Sequence, residues 1–360
     1  MALLPSPLPS PLPAPLPVVI LGATGMVGQR MIQLLAGHPW FQVACVAASE
    51  RSAGRPYGQA APWRLPGRCP PEIAALTVRT CSPEQVPAGV RIAFSALDSA
   101  VAGPVEQAFR AAGFAVVTNA STHRMAPDVP LLIPEVNPDH LAMVDLQTGG
   151  DARRGFIVAN PNCCVVPMAL ALAPLHARWP VQAAIVSTWQ ATSGAGYPGE
   201  SAWDMVGSVH PHAGNEEDKL DEEPQKVLGT VQGPAPFRVS ARCVRVPTAD
   251  GHLVGVHARL HGEPGLAEVQ EALSSWTGDG PPLPSSPRPL LELSERRDRP
   301  ATRFDVDAGG GMAVTVGRVE VCPVMGIKLY ALAHNTIRGA AGAAIANAEL
   351  LVATGRVPTG

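Results

Sequence analysis

The stretch VVILGATGMVGQRMIQLL occupies residues 18–35 and combines a short apolar run, a glycine-rich turn and a helical pattern. The apolar run at 18–21 is typical of a buried parallel strand. The turn carries the pattern G-x-x-G-x-x-G at Gly22, Gly25 and Gly28. Glycines let a backbone approach a pyrophosphate closely, and the first turn of the following helix offers unpaired N–H groups. A tight turn without a ligand is the alternative, but the strand–turn–helix setting favours dinucleotide binding.

Strand and helix patterns keep alternating after this turn. Strands are predicted at residues 42–49, 91–97, 114–121 and 156–163, and helices at 105–113 and 165–179. Such alternation indicates a parallel, doubly wound sheet of the Rossmann type. Longer strand patterns of a mixed or antiparallel sheet follow at 183–192, 237–247, 252–260 and 312–321, with helices at 266–276 and 335–355. The predicted fold class is therefore α/β, with a second domain of the α+β type.

The composition argues against several classes of protein. The chain has 360 residues, 46% of them hydrophobic, and a formal net charge of −3, which gives no basic face for nucleic acid. No apolar run approaches the roughly 20 residues that a membrane-spanning helix needs. The seven cysteines are odd in number and match no zinc-ligand spacing, so we expect reduced thiols, no bound metal and a cytoplasmic location. Residues 1–17 repeat proline and are predicted to form a disordered tail.

The end of the predicted second strand bears on which dinucleotide is bound. Rossmann domains that are specific for NAD usually place an acidic residue here, on the ribose hydroxyls. This chain has Ser49, Glu50, Arg51 and Ser52 at that point. The guanidinium of Arg51 and the two hydroxyls suit a 2′-phosphate, whereas Glu50 suits a free ribose. The balance favours NADP, with NAD as the alternative.

A pair of cysteines lies between a predicted strand and a predicted helix, directly after Asn162. A thiol at a helix N-terminus has a lowered pKa and therefore a larger thiolate fraction. Spacing alone leaves open whether Cys163 or Cys164 is the nucleophile, and a buried apolar role is the alternative for either. A thiolate that forms an acyl intermediate needs an acid/base partner, and His252, at the start of a predicted strand, is a candidate. Residues 190–197 form a second glycine-rich loop, which suits close approach to phosphate or nicotinamide.

Nine stretches, in this order, resemble the aspartate-semialdehyde dehydrogenases, most closely the branch typical of archaea and fungi. They are GATGMVGQR (22–30), AASERSAG (47–54), NASTHRM (119–125), VPLLIPEVN (129–137), NPNC (160–163), QATSGAGYPG (190–199), NEEDKL (215–220), RVPTADGH (245–252) and HNTIRGAAGAAIANAEL (334–350). The resemblance implies reductive dephosphorylation of L-aspartyl 4-phosphate by NADPH to L-aspartate 4-semialdehyde, in the biosynthesis of lysine, threonine, methionine and isoleucine.

The resemblance also implies roles for individual residues. Cys163 matches the cysteine that forms the thioester, His252 the acid/base histidine and Gln190 the glutamine that orients the acyl group. The matched substrate-binding residues are Arg245 for the α-carboxylate, Glu216 for the ammonium with Glu217 as a close rival, Lys219 and Arg124 for the phosphate, and Asn162 beside the cysteine. The matched cofactor-binding residues are Gly22, Thr24, Gly25, Met26, Val27, Gly28, Ser49, Arg51, Ser52, Ser193, Gly194 and Asn335.

In this family the last helix returns to the first domain, so the resemblance implies a discontinuous NADP-binding domain, residues 18–160 and 334–360. Residues 161–333 are then the catalytic and dimerisation domain. We expect a homodimer or homotetramer that acts on a small molecule, with neither nucleic acid nor membrane as a partner. Two alternatives stay open: a reductase of malonyl-CoA or of another acyl phosphate on the same scaffold, and a non-catalytic dinucleotide-binding protein. Cys164 departs from the family, which usually has a small hydroxyl residue there.

Overall fold

The first half of the chain folds into a six-stranded sheet with the order β3-β2-β1-β4-β5-β6, in which all neighbouring strands are parallel. The computed structural model describes residues 12–151 and 153–358. The strands are β1 Leu16–Leu21, β2 Phe41–Ala48, β3 Arg79–Thr80, β4 Ile92–Ser95, β5 Ala115–Thr118 and β6 Phe156–Ala159. The strand order reverses at β1, and ligands bind beyond the carboxyl ends of the strands at such a point. The predicted doubly wound parallel sheet is confirmed.

Both faces of this sheet are covered, as the alternation of buried residues along β1 requires. Val19 and Leu21 belong to one hydrophobic core, and Val18 and Ile20 belong to a second. The helices are α1 Met26–Leu35, α2 Tyr57–Ala60, α3 Pro71–Ala74, α4 Ser99–Ala111, α5 Ala142–Thr148, α6 Val165–Arg178, α7 Ala202–Met205, α8 Glu216–Val227, α9 Leu266–Ser275, α10 Thr302–Asp305 and α11 Gly342–Ala353. Among the described residues, no helix is long and apolar enough to cross a lipid bilayer.

A second six-stranded sheet has the order β10-β11-β12-β9-β7-β8. Its strands are β7 Val181–Gln190, β8 Arg238–Arg245, β9 His252–Leu260, β10 Leu291–Ser294, β11 Val314–Cys322 and β12 Gly326–Ala333. The pairs β7–β8 and β10–β11 are parallel and the other three pairs are antiparallel, so the predicted mixed sheet is confirmed. The strand register pairs Gln190 of β7 with Arg245 of β8. It also pairs Trp189 of β7 with Leu253 of β9, the residue that follows His252. The sheet thereby gathers three of the predicted site residues at one end.

The C-terminal segment differs at its start from the single helix predicted at 335–355. One wide π-helical turn, Ile337–Ala341, comes first, and α11 follows it. This turn brings the backbone against the nucleophile candidate, since a Cβ added to Gly339 would lie 2.7 Å from the Cβ of Cys163. A side chain at position 339 has no room there, which is why the turn needs glycine. Turns of this wide kind are frequent at functional sites.

The prediction of a disordered tail up to residue 17 is wrong for its last part. Strand β1 begins at Leu16, and Leu12 is buried and donates its N–H to the carbonyl of Pro39 at 3.2 Å. The remainder of the predicted tail, residues 1–11, lies outside the described residues. Packing of Leu12 therefore anchors this part of the segment, which the proline pattern concealed.

A buried ion pair ties the π-helical turn to the first domain. Arg338 donates from Nη1 and Nη2 to the two carboxylate oxygens of Glu135, at 3.0 and 2.7 Å. Arg338 is only 1% exposed, and Glu135 is also buried. A bidentate pair of this kind satisfies both charges in a region of low dielectric, and removing one partner leaves the other buried and uncompensated.

We predict that Arg338→Ala destabilises the fold by about 3–5 kcal/mol, because the carboxylate of Glu135 then stays buried without its partner. The midpoint of urea unfolding, followed by circular dichroism, measures the loss. Arg296→Ala, which breaks an exposed pair with Asp298, is the matched control and should leave the midpoint unchanged. Equal midpoints for the two variants would contradict the importance assigned to the buried pair.

Candidate active site

Cys163 lies in the turn between β6 and α6, at the start of the helix, as the sequence predicts. The side-chain oxygen of Asn162 accepts the N–H of Cys164 at 2.9 Å, which satisfies one of the unpaired donors at the helix start. Cys163 is partly exposed, whereas Cys164 is buried. The turn therefore presents the first sulfur to the site and points the second into the protein.

The two neighbouring thiols have opposite acidities. A hydrogen bond from the Cys164 thiol holds the pKa of Cys163 well below its ordinary value; burial opposes this effect, and His252 adds to it. Burial and the adjacent Cys163 sulfur raise the pKa of Cys164 well above its ordinary value. Because the thiolate is the nucleophilic form of cysteine, this difference favours Cys163 over Cys164 as the nucleophile.

His252 is buried at the start of β9, with its ring close to the two sulfurs. Its Nδ1 accepts the N–H of Ala191 at 3.0 Å, so the ring carries its proton on Nε2 when neutral. Nε2 is buried and has no hydrogen-bond partner among the described residues. A ring held from behind by a backbone N–H, with an unpaired nitrogen near a thiolate, has the arrangement of an acid/base group.

Arg245 and Gln190 meet at the ends of β8 and β7. Nη1 of Arg245 donates to Oε1 of Gln190 at 3.1 Å and to the carbonyl of Ala191 at 3.0 Å. Nε of Arg245 donates to Glu200 at 3.1 Å, and sequence reasoning did not single out Glu200. Gly194 packs against His252 and Arg245, since an added Cβ would lie 2.9 Å from Nε2 of His252 and 3.0 Å from Nη1 of Arg245.

Helix α8 brings two further predicted residues to the cysteine turn. Glu216 accepts from Nζ of Lys219 at 2.6 Å and from the amide nitrogen of Asn162 at 2.7 Å. Burial opposes ionisation of Glu216, but Lys219 and Asn162 outweigh it and hold the pKa below its ordinary value. Glu217 instead accepts from Arg242 at 3.0 Å and from the backbone of Cys243 at 3.1 Å. Glu216 therefore lies against the cysteine turn and Glu217 does not, and Glu216 stays the predicted ammonium-binding residue.

Arg124, predicted to bind phosphate, is held by a residue that the sequence analysis missed. Its Nη1 donates to Glu223 at 2.8 Å, and its Nη2 donates to the carbonyl of Asn119 at 2.7 Å. Glu223 lies on α8, seven residues after Glu216 and hence on the same face of the helix. That periodicity was the one signal in the sequence that could have pointed to Glu223.

The glycine-rich turn forms a cradle in which side chains have no room. Gly22 has φ +77°, and an added Cβ would lie 2.5 Å from the carbonyl oxygen of Ala96. A Cβ on Gly28 would lie 2.4 Å from the carbonyl oxygen of Gly22. Gly25 is the N-cap of α1 and has no side-chain cap, so the helix N-terminus stays open. Thr24, Met26 and Val27 complete the turn, and the whole arrangement fits a dinucleotide pyrophosphate.

The other predicted cofactor residues divide into two groups. Ser49, Arg51 and Ser52 lie just beyond β2; the N–H of Ser52 bonds the carbonyl of Ser49 at 2.9 Å, and Arg51 is exposed. Asn335 donates to the hydroxyl of Ser193 at 2.8 Å and accepts the N–H of Gly251 at 2.9 Å, directly beside the predicted acid/base histidine. The first group stays the predicted site of the ribose phosphate, and the second the predicted site of the nicotinamide.

A cleft of about 500 Å³ opens between the glycine-rich turn and the second glycine-rich loop. Met26 of the glycine-rich turn and Ser193 of the second loop both line it, as does Glu200. Cys163 does not line this cleft and lies deeper, beneath the π-helical turn. The cleft is therefore better matched to a cofactor, and the space around the sulfur to a small substrate.

Three atoms of metal-ligand type also meet at the nucleophile. The sulfurs of Cys163 and Cys164 and a ring nitrogen of His252 all lie within 4.8 Å of one another. Such soft ligands are compatible with zinc, although the sequence predicted no metal. A thiolate beside an imidazole is equally what acyl transfer requires, and the surrounding ammonium- and carboxylate-binding groups favour that interpretation.

Comparison with known proteins agrees with this site. Residues 17–144 match the domain family described as semialdehyde dehydrogenase, NAD binding domain, and residues 172–338 match semialdehyde dehydrogenase, dimerisation domain. The aspartate-semialdehyde dehydrogenase of Archaeoglobus fulgidus is 45% identical over 339 residues, covering 93% of this chain and 97% of that protein. The protein of the same name from Cryptococcus neoformans is 40% identical over 356 residues, covering 94% and 98%.

A solved structure is similar over nearly the whole chain. The crystal structure of aspartate-semialdehyde dehydrogenase with NADP from Candida albicans superposes with a TM-score of 0.87 at 36% identity. The superposition covers 96% of this chain and all of the other. Because both domain families match, and because relatives more than 30% identical align over nearly the whole chain, the chain belongs to the semialdehyde dehydrogenase family.

Proposed function

We propose that the protein is an aspartate-semialdehyde dehydrogenase, which uses NADPH to convert L-aspartyl 4-phosphate into L-aspartate 4-semialdehyde and phosphate. The observation that carries the proposal is the pairing of Cys163, whose pKa is depressed, with His252 less than 4.8 Å away. A thiolate beside an imidazole supplies the nucleophile and the proton carrier that acyl transfer needs. The shared name of the archaeal and fungal relatives supports the choice of aspartyl phosphate as substrate.

In the proposed mechanism, the thiolate of Cys163 attacks the acyl carbon of the substrate. A carbon–sulfur bond forms, the bond from carbon to the phosphate oxygen breaks, and Lys219 and Arg124 stabilise the phosphate that leaves. After reduction of the thioester, the Nε2–H of His252 donates a hydrogen bond to the oxygen of the tetrahedral adduct and stabilises its negative charge. The carbon–sulfur bond then breaks, the aldehyde departs, and the sulfur of Cys163 leaves as the thiolate with which the reaction began.

The cofactor has a matching site in the chain. NADPH, when bound, supplies the hydride that reduces the thioester. The cradle at Gly22 and Gly28, with the open start of α1, supports pyrophosphate binding there. Arg51, with the hydroxyls of Ser49 and Ser52, is proposed to hold the 2′-phosphate, which selects NADP over NAD. The crystal structure from Candida albicans, which contains NADP, supports the same selection.

The charged residues suit an amino-acid acyl phosphate. Arg245 is proposed to bind the α-carboxylate, for which a guanidinium offers two parallel donors. Glu216, kept ionised by Lys219 and Asn162, is proposed to bind the ammonium group. Gln190 accepts from Arg245, and its remaining amide donor is suited to the acyl oxygen. A malonyl-CoA reductase has no ammonium group to recognise, so the Glu216 arrangement argues for the amino acid.

We propose a homodimer or homotetramer assembled on the mixed sheet. The match to a dimerisation domain at residues 172–338 supports this assembly. The sheet leaves apolar groups accessible: Ile185 is 48% exposed, and the partly exposed rings of Trp189 and Tyr330 lie 5.9 Å apart. Apolar surface of this kind is typical of a subunit contact.

We predict phosphate-dependent reduction of NADP by the purified protein when L-aspartate 4-semialdehyde is supplied, measured by the absorbance of NADPH. NAD should be a poorer cofactor, because Arg51 then lacks its 2′-phosphate partner. The matched assay with malonyl-CoA and NADPH is expected to show no activity. Inactivity on the semialdehyde together with turnover of malonyl-CoA would reject the proposed substrate.

We predict that Cys163→Ala reduces turnover to background, whereas Cys164→Ala retains most of it. Removing the Cys164 thiol deletes a hydrogen bond to the Cys163 sulfur, so the pKa of Cys163 should rise towards its ordinary value. The pH profile of Cys163 alkylation by iodoacetamide should therefore move to higher pH in Cys164→Ala, and Cys164→Ser should remove the shift, because a hydroxyl is at least as good a donor as the thiol. Full activity in Cys163→Ala would show that the nucleophile is another group.

A further inference from the structure

We propose that Glu223 is a positioning residue, whose carboxylate fixes the nucleophile turn and the phosphate-binding guanidinium of Arg124 relative to each other. The inference rests on the proposed function, in which Arg124 binds phosphate and Cys163 attacks the acyl carbon. Neither the sequence patterns nor the resemblance assigns a role to Glu223.

The two oxygens of Glu223 serve two segments that are distant in the chain. Oε2 accepts the backbone N–H of Asn162 at 2.6 Å, immediately before Cys163. Oε1 accepts from Nη1 of Arg124 at 2.8 Å. One side chain from the second part of the protein therefore joins the turn after β6 to the segment after β5.

The carboxylate of Glu223 is buried, so it must be hydrogen-bonded to be tolerated in the fold. Glu223 is 2% exposed, and desolvation raises its pKa even though Arg124 and the N–H of Asn162 oppose the rise. A buried carboxylate is retained only where its partners satisfy it well. Two acceptor atoms are needed here, one for each donor, and a glutamine offers only one. Glutamate is thus the residue that satisfies both segments at once.

A second residue of the same helix face supports the arrangement. Lys226, one turn after Glu223, donates from Nζ to the carbonyls of Arg124 and Ala126, at 2.6 and 2.7 Å. Helix α8 therefore holds Arg124 at both its guanidinium and its backbone. With Nη2 bonded to Asn119, the guanidinium is fixed on several sides, while its buried Nε has no partner among the described residues. A fixed guanidinium with a free donor is prepared for an anionic oxygen.

The test is Glu223→Gln in the full-length enzyme, with Glu222→Gln as the matched control on the exposed face of the same helix. Glutamine keeps one acceptor and loses the charge, so one of the two contacts is lost and the other is weakened. The KM for phosphate should rise about tenfold or more, and kcat should fall. The rate of Cys163 alkylation by iodoacetamide should also fall. Glu222→Gln should match the wild type in all three quantities.

A double-mutant cycle with Arg124→Ala separates positioning from a general loss of structure. Because Glu223 acts on phosphate through Arg124, adding Glu223→Gln to Arg124→Ala should leave the phosphate KM unchanged while alkylation still slows. If Glu223→Gln fails to fold, Lys226→Gln is the second variant: it should raise the phosphate KM and leave alkylation unchanged.

Additive effects of Glu223→Gln and Arg124→Ala on the phosphate KM would overturn the inference, and so would a Glu223→Gln variant that behaves like Glu222→Gln. A lower phosphate KM in Glu223→Gln would also overturn it, because Glu223 would then merely compete with phosphate for Arg124. If the variant fails to fold, a Lys226→Gln enzyme with an unchanged phosphate KM would overturn it as well. A wild-type enzyme without phosphate-dependent activity would instead refute the proposed function, so the two failures are distinguishable.

Discussion

Asn162 donates its side-chain N–H to Glu216 at 2.7 Å and its backbone N–H to Glu223 at 2.6 Å, while its side-chain oxygen accepts the N–H of Cys164 at 2.9 Å. The two bonds to the glutamates tie the turn after β6 to helix α8, and the third holds the turn itself at the start of α6. The position of the Cys163 sulfur is therefore set by contacts between this turn and α8, and a shift of the helix would move it. Hydrogen bonds to charged acceptors are strong enough to hold such a turn in a single geometry.

The charges around this turn are arranged in pairs. Lys219 pairs with Glu216, Arg124 with Glu223, and Arg245 with Glu200. Pairing offsets the desolvation penalty of these buried or half-buried charges when no substrate is bound. The two acids of α8 nevertheless differ, since the pKa of Glu216 is lowered by its partners and that of Glu223 is raised by burial. A carboxylate that stays readily ionised, such as Glu216, suits recognition of an ammonium group. A carboxylate enclosed between two donors, such as Glu223, suits positioning of the groups that donate to it.

Local patterns were enough to predict the first sheet, because a buried strand followed by Gly22, Gly25 and Gly28 has few other solutions. The mixed sheet was also predicted, but its strands β10 and β12 and helix α8 were missed. The α8 sequence EEDKLDEEPQKV is mostly charged, and its only apolar residues are Leu220, Pro224 and Val227, which form a narrow buried stripe interrupted by a proline. Glu200 and Glu223 were missed for a different reason: their partners lie far away in sequence, so their contacts exist only in the fold. The proline-rich start misled the prediction, because Leu12 packs despite its neighbours.

Residue identity alone does not decide whether Cys163 or Cys164 is the nucleophile. Both sulfurs follow the same asparagine, and both lie at the start of α6. The difference arises from where each side chain points: Cys163 faces His252 and is partly exposed, whereas Cys164 is fully enclosed. A thiol is a weaker hydrogen-bond donor than the hydroxyl that the resemblance leads one to expect at position 164. Because that donor is weaker, stabilisation of the thiolate depends more on His252, and the acid/base residue thereby contributes to forming the nucleophile that it later serves.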